Sequence, residues 1–254
     1  MESYRNLTGK FGIITGAASG IGRATALRLA HEGAALTVAD VMEDELQVVA
    51  REISALGRPS PLVVTMDVAS ETEVDRMVSI TLEVFRRIDF LVTSAGIIRR
   101  TGFPDIGPSE WDLVMAVNLR GPYLCCRAVV PIMIKQGSGV IVNVASLAGR
   151  STSVLGGAHY TASKHGVIGL SRHIARELGP HGIRVNAFCP GGTLTPMVEK
   201  TAPLEEREAN AATWPLRRWA RPEEQASVIS FLISDESSFM TGASIDSNGG
   251  ALML

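Results

Sequence analysis

Tyr160 and Lys164 stand four residues apart in the stretch from Ser146 to Lys164, whose side chains suit proton transfer. Residues four apart on a helix lie one above the other. The spacing predicts a helix over 159–178, because Val167, Leu170, Ile174 and Leu178 recur at threes and fours before Gly179-Pro180. A free phenol titrates near pH 10, so proton exchange near neutrality asks for a pKa lowered by roughly 3 units, about 4 kcal/mol. An ammonium about 4 Å away, at an effective dielectric of about 20, favours the phenolate by a similar amount. Ser146 follows the apolar run 139–144, at a strand end, where ligands bind in an open α/β sheet. Its hydroxyl can donate to a carbonyl oxygen that gains negative charge. A bare Tyr-x-x-x-Lys arises by chance in many chains, so its meaning depends on the elements that would position it.

Those elements alternate strand with helix. Residues 11–15 read as a short buried strand, followed by the glycine turn from Gly16 through Ser19, Gly20 and Ile21 to Gly22, and then a helical stretch from Arg23 to His31. In that setting glycines let the backbone approach a pyrophosphate, and the helix N-terminus supplies N–H donors. The next strand, 34–39, ends in Asp40, about twenty residues beyond the turn, where a carboxylate accepts from adenosine ribose hydroxyls. The same charge repels the extra phosphate of NADP, and neither Val41 nor Ser19 adds a basic side chain, so NAD is the expected cofactor. Asp40 is also placed to cap a helix beginning near Met42, and the two roles are compatible. A third strand, 61–66, ends in Asp67-Val68, within reach of an adenine amino group. A helix over roughly 70–86 and a fourth strand, 89–93, lead into Ser94-Ala95-Gly96.

Trp111 to Gln136 reads as one long helix interrupted at Gly121-Pro122. Within it, the polar Asn118 either makes a packing hydrogen bond or kinks the helix and holds a water. Strands at 139–144, 182–188 and 243–246, and a last helix opened by Arg221-Pro222-Glu223, complete the pattern. Residues 193–220 show no clean periodicity and suit a mobile lid over a pocket. Strands alternating with helices imply βαβ crossovers, a parallel sheet and one α/β domain over 1–254.

The 254 residues, 46% of them hydrophobic, suffice for one sizeable core. A net charge of −2 offers no footprint for nucleic acid or an acidic membrane. Residues 1–8 show no basic-then-apolar leader, and no apolar run approaches membrane-spanning length, so a cytoplasmic protein without a membrane partner is expected. Cys125, Cys126 and Cys189 show neither a disulfide framework nor metal spacing, and no metal site is expected. They read as small buried hydrophobes in a reducing compartment. His159 and His173 lack a partner pattern, which leaves His159 at most a pocket-lining role.

The motifs Thr15-Gly16-x-x-x-Gly20-x-Gly22, Asn118, Ser146, Tyr160-x-x-x-Lys164 and Pro190-Gly191, in this order, resemble those of the short-chain dehydrogenase/reductase family along essentially the whole chain. The resemblance implies a Rossmann-type doubly wound parallel sheet of about seven strands with helices on both faces. It also implies hydride transfer between NAD(H) and a secondary alcohol or ketone. Tyr160 would be the general acid/base, and Lys164 would lower its pKa and hold the nicotinamide ribose. Ser146 would orient the substrate oxygen, and Asn118 would position a water in a proton relay through Lys164. Along the cofactor, Ser19 and Ile21 would face the phosphates within the glycine turn, Asp40 the adenosine ribose, and Asp67 and Val68 the adenine. Ser94, Ala95, Gly96, Pro190 and Gly191 would line it, and Thr193 and Thr195 would meet the carboxamide. A homotetramer paired through helices 112–136 and 159–178 is implied as well. Two departures stand out: Thr93-Ser94 where the family commonly has two asparagines, and Asp246-Ser-Asn-Gly249-Gly250 in place of Asp-Gly-Gly. Thr93 and Ser94 remain able to hydrogen-bond neighbouring backbone.

The substrate is open among several classes. An acyl-carrier thioester reductase wants a basic docking patch, for which Lys135, Arg172 and Arg176 are thin. Gly96-Ile-Ile-Arg99-Arg100 resembles members acting on sugar acids, where either arginine would pair a carboxylate, or both are solvated. A steroid or other bulky alcohol would need an apolar lid, for which Leu194, Met197, Val198, Trp214 and Leu216 are available. A non-catalytic nucleotide-binding scaffold on the same fold is the alternative from another class, and retention of all four site residues weighs against it.

Overall fold

A computed structural model describes residues 6–254; the opening residues 1–5, part of the stretch read for a leader, lie outside the described residues. Its strands are β1 (Phe11–Thr15), β2 (Ala35–Asp40), β3 (Leu62–Thr65), β4 (Phe90–Thr93), β5 (Gly139–Val144), β6 (Ile183–Pro190) and β7 (Ser244–Ser247). They form one parallel sheet in the order β3-β2-β1-β4-β5-β6-β7. Helices α1 (Gly20–His31), α2 (Glu43–Ala55) and α9 (Pro222–Ile233) cover one face. On the other lie α3 (Glu71–Phe85), α5 (Gly121–Gln136) and α6 (Ala158–Leu178).

The central strands β1, β4 and β5 read as largely apolar runs because both of their faces are buried. Successive side chains point to opposite faces, so neighbours in sequence enter different cores. Ile14, Val92 and Val142 pack with Leu29 of α1 and Leu232 of α9. Ile13, Leu91 and Ile141 pack with Met77 of α3 and Met133 of α5. All of these are fully buried, each worth about 1.5–3 kcal/mol of transfer free energy. Gly12 is fixed by packing: a Cβ there would lie 2.0 Å from the Phe90 ring.

The long helix differs from its sequence reading in two ways. It runs unbroken from Pro108 to Gln136, as α4 (Pro108–Met115), a π-helical turn at Ala116–Arg120 and α5, and its irregularity surrounds Asn118 instead of Gly121-Pro122. Pro122 sits in the first turn of α5, where a missing N–H does little harm. The rod of 29 residues is also long and apolar enough to cross a membrane, contrary to the expectation that no run is. Its buried side, Val114, Leu124, Cys125, Val129 and Met133, is occupied by the protein's own interior.

Residues 193–220, left without an element by periodicity, contain α7 (Pro196–Thr201) and α8 (Leu204–Ala212). Leu155, Ala202, Ala211 and Trp219 form a small separate cluster there with Ile98, Val198 and Trp214. Short amphipathic helices of six and nine residues give too few repeats for a periodic signal.

Candidate active site

The sheet order reverses between β1 and β4, and the crevice at their carboxyl ends is where an open α/β sheet binds ligands. The glycine turn leading out of β1 has no room for a side chain at Gly16 or Gly22. Gly16 has φ +69°, and a Cβ on it would fall 2.5 Å from the Ala95 nitrogen. On Gly22 a Cβ would meet the Gly16 carbonyl oxygen at 2.0 Å, and on Gly20 the Thr195 methyl at 3.0 Å. These contacts bring the turn, Ser94-Ala95 and Thr195 into one place. Ser19 precedes α1 in an extended conformation and makes no side-chain cap, while Ile21 packs on the core. A bare backbone at a helix N-terminus fits a pyrophosphate.

Asp40 at the end of β2 accepts from three backbone N–H groups: Ala18 (3.1 Å), Val41 (2.8 Å) and Met42 (3.2 Å). The first of these ties it to the glycine turn. It does not cap α2, whose first turn carries Glu43, Asp44 and Glu45. Arg23 of α1 is engaged by both carboxylate oxygens of Glu52. Asp67 is exposed and accepts from Ala69 N–H at 2.8 Å; Val68 is buried, its methyl 2.8 Å from where a Cβ on Gly121 would stand.

At the end of β5, Ser146 caps the turn Leu147–Gly149, accepting from Ala148 N–H at 3.1 Å. Burial raises the Tyr160 phenol above its ordinary range, and a hydrogen bond with the Ser146 hydroxyl works against that rise. Lys164 donates to the Val144 carbonyl at 3.0 Å and lies 5.8 Å from the centroid of the Tyr160 ring. Burial pulls its ammonium down to about 8. The ammonium faces the ring and bonds a carbonyl, and burial is the largest influence on both groups.

Asn118 is fully buried beside them. Its Nδ2 donates to the Ile97 carbonyl (2.9 Å) and Ser163 Oγ (3.3 Å), and its Oδ1 accepts from Ile97 N–H (2.8 Å). Ser163 in turn donates to the Tyr160 carbonyl at 2.7 Å. A Cβ on Gly96 would lie 3.3 Å from Asn118 Oδ1 and 3.6 Å from Lys164 Nζ, so this glycine brings the turn after β4 against both side chains. Both amide hydrogens of Asn118 are thus committed to protein, and its backbone lies in the π turn.

Thr93 does not bond backbone as expected; it donates to Asn143 Oδ1 at 2.8 Å, and Asn143 donates to Ser171 at 2.9 Å, a buried brace between β4, β5 and α6. Thr193 is buried, donates to the Gly191 carbonyl and accepts from Gln225. Pro190 ends β6. Arg100 makes a bidentate pair with Glu206 of α8 and also bonds the Thr201 carbonyl, so it ties the 193–220 segment to the loop after β4. Arg99 is exposed and turned onto the carbonyl of Ile98. Among the described residues no group of three or more ligating side chains is placed to hold a metal.

The sequence reading missed a pair. His159 is fully buried, with Nε2 2.9 Å from Glu110 Oε1, and its Nδ1 accepts from the Tyr160 N–H at 2.9 Å. The histidine is visible beside the tyrosine, but its partner lies 49 positions away on another helix.

Residues 16–251 match the family model described as enoyl-(acyl carrier protein) reductase. The chain is 43% identical to a 3-oxoacyl-(acyl-carrier-protein) reductase of Thermotoga maritima, over 97% of this chain and 99% of that protein. The crystal structure of a short-chain type dehydrogenase/reductase from Mycobacterium marinum superposes with a TM-score of 0.93 at 36% identity, covering 98% of each chain. A 3-oxoacyl-(acyl-carrier protein) reductase from Brucella melitensis, solved with bound NAD, gives a TM-score of 0.89 at 33% identity, over 97% of this chain and 92% of that one.

Proposed function

Because the chain belongs to the short-chain dehydrogenase/reductase family, oxidoreductases that act on alcohol and carbonyl groups with a nicotinamide cofactor, we propose that it is an NAD-dependent dehydrogenase/ketoreductase with Tyr160 as general acid/base. The observation that carries this reading is the gathering of Ser146, Tyr160 and Lys164 at the carboxyl end of β5, beside a turn with no room for a side chain at Gly16 or Gly22. When bound, the nicotinamide supplies or takes up the hydride. The protein's part is position and proton. Ser146 donates to the substrate oxygen, and Tyr160 gives that oxygen a proton in reduction or takes one in oxidation. Lys164 sets the potential around the phenol and holds the nicotinamide ribose. The Asn118 backbone, in the π turn, carries a water that links Lys164 to solvent.

Gly16, Ser19, Gly20, Ile21 and Gly22 would hold the phosphates, and Asp67 and Val68 the adenine. Ser94, Ala95, Gly96, Pro190 and Gly191 would line the cofactor, and Thr193 and Thr195 would meet its carboxamide. Preference for NAD rests on Asp40, a carboxylate hydrogen-bonded to the turn, and on Arg23 being neutralised by Glu52. The segment 193–220 serves as a lid, and exposed Trp111, Leu113 and Tyr123 on the α4–α5 rod supply apolar surface for pairing in a homotetramer. Three free, buried cysteines suit a cytoplasmic setting.

For the substrate, a secondary alcohol or ketone is the first reading, and the apolar lid cluster also suits a bulky one such as a steroid. The Thermotoga maritima relative favours a 3-oxoacyl thioester as the second. With Arg100 engaged by Glu206, a sugar acid would depend on Arg99 alone. Absorbance at 340 nm, followed with NAD and NADP side by side against secondary alcohols, sugar acids, steroids and a β-ketoacyl thioester, tests the reading. Turnover with NAD supports it. Turnover confined to NADP would overturn the cofactor assignment, and a response to the thioester alone would promote the second reading.

A further inference from the structure

The histidine that precedes Tyr160 makes contacts no pocket-lining residue would need. Its imidazole is fully buried. Nδ1 accepts from the Tyr160 backbone N–H at 2.9 Å, so the ring proton sits on Nε2, where it is donated to Glu110 Oε1 at 2.9 Å. Glu110 belongs to the first turn of α4, and the hydroxyl of Thr101 together with His159 holds its carboxyl below the usual carboxylate range. The Tyr160 N–H is one of the unpaired donors of the first turn of α6, shared here between His159 and the Gly157 carbonyl at 3.1 Å.

The other side of the tyrosine is held as firmly. Its carbonyl accepts from Ser163, Ser163 accepts from Asn118, and Asn118 is clamped to Ile97. Its ring rests on Gly156, where a Cβ would fall 2.9 Å from the ring carbons. One chain of hydrogen bonds thus runs from Glu110 on α4, through His159, Tyr160 and Ser163 on α6, back to Asn118 in the π turn of the same rod. Each link fixes the next, because the carboxylate selects the tautomer and the tautomer decides whether Nδ1 can accept.

We propose that Glu110 and His159 form a positioning pair that fixes the backbone of Tyr160 and so aims its phenol at Ser146 and the reacting oxygen. The inference rests on the acid/base reading of Tyr160. Neither residue touches the reacting atoms; their effect passes through the tyrosine, where a displacement of about 1 Å can cost about a hundredfold in rate.

The test compares kcat, KM and NAD affinity in the full-length enzyme, using the responding alcohol and calorimetric titration of NAD. His159→Leu removes the acceptor, whereas His159→Asn offers an oxygen at the position of Nδ1. Glu110→Ala removes the tautomer-fixing carboxylate, while Glu110→Gln keeps a carbonyl acceptor at a half-exposed site where folding is not at stake. The expected result is a fall in kcat of about tenfold or more for His159→Leu and about fivefold for Glu110→Ala, with both conservative variants within about threefold of wild type and NAD affinity unchanged throughout. Wild-type kcat in both Glu110→Ala and His159→Leu would overturn the inference. So would loss in the conservative variants equal to loss in the truncations, with circular dichroism intact. Tyr160→Phe, run in parallel, separates the layers: full activity there sinks the acid/base reading itself, whereas an inactive Tyr160→Phe beside unaffected Glu110 and His159 variants sinks only the positioning pair.

Discussion

Lys164 bonds the Val144 carbonyl at 3.0 Å while its ammonium stands 5.8 Å from the centre of the Tyr160 ring. The lysine therefore sits against the face of the phenol, and burial keeps that phenol protonated beyond its ordinary range. A neutral Tyr160 is the form that donates a proton, so carbonyl reduction should hold its rate through neutrality and fall only in the alkaline range. Alcohol oxidation, which needs the phenolate, should climb over the same alkaline range. Single-turnover rates against pH in both directions check this. A reduction rate already falling on the acid side of neutrality would mean that the loaded site depresses the phenol.

The same burial gives a stability signature. In the folded chain Lys164 titrates at about 8, against 10.5 for the free side chain. Between those values the unfolded chain binds more protons, so this residue's contribution to stability rises with pH and is lost as pH falls through about 8. The full span corresponds to about 3 kcal/mol. Burial raises the thiols of Cys125, Cys126 and Cys189, which act in the opposite sense at high pH, so the comparison must be a difference. Lys164→Met should be the more stable protein at neutral pH, with its advantage over wild type shrinking steadily as pH rises from about 8 to about 10. Denaturant titrations at several pH values measure the gap. A constant gap would mean that Lys164 keeps its charge in the fold without cost.

How much of this was legible in the sequence depended on whether a feature is local. The strands were readable because burial on both faces makes runs such as Ile13-Ile14 and Ile141-Val142 continuously apolar. The glycine turn was readable because Gly22 answers to Gly16 and Ala17 within the turn and Gly16 takes a positive φ, although the close neighbours of Gly16, Ser94 and Ala95, come from another loop. Asn118 was read either as a packing hydrogen bond or as a kink, and the structure gives it both hydrogen bonds and a π turn; only its partners, Ile97 and Ser163, could not be named, because they come from other elements. Lys164 shows the limit of spacing as a guide. The four-residue interval put it on the face of Tyr160, while the Val144 carbonyl that Lys164 bonds and the burial that raises the phenol are tertiary facts. The pairing of His159 with Glu110 was missed for the same reason.

The lid gives a prediction of its own. Arg100 grips Glu206 with two nitrogens at 2.8 and 2.9 Å and also bonds the Thr201 carbonyl, so it spans α7 and α8. The pair is partly exposed, which limits its contribution to global stability to about 1 kcal/mol or less. Its effect should fall on the segment it tethers. Arg100→Ala should raise the substrate KM about three- to tenfold while leaving NAD affinity and the melting temperature within error. Initial-rate kinetics and a thermal melt decide it, and an unchanged KM would mean that Trp214 and Trp219, packed on Gly192, anchor the segment unaided.

Cofactor choice turns on whether Asp40 acts by charge or by geometry. Its carboxylate accepts from Ala18, Val41 and Met42, so removing it both neutralises the site and loosens the glycine turn. Asp40→Asn separates the effects: the amide oxygen can still accept from Ala18, but the charge is gone. If charge repels the extra phosphate of NADP, both Asp40→Ala and Asp40→Asn should raise the NADP-to-NAD ratio of kcat/KM by about 10- to 100-fold, or about 1.4–2.8 kcal/mol. Asp40→Ala should in addition lose affinity for NAD itself. A switch in Asp40→Ala with none in Asp40→Asn would assign the preference to the shape of the turn, and no switch in either would leave Asp40 as a structural clamp between β2 and the glycine turn.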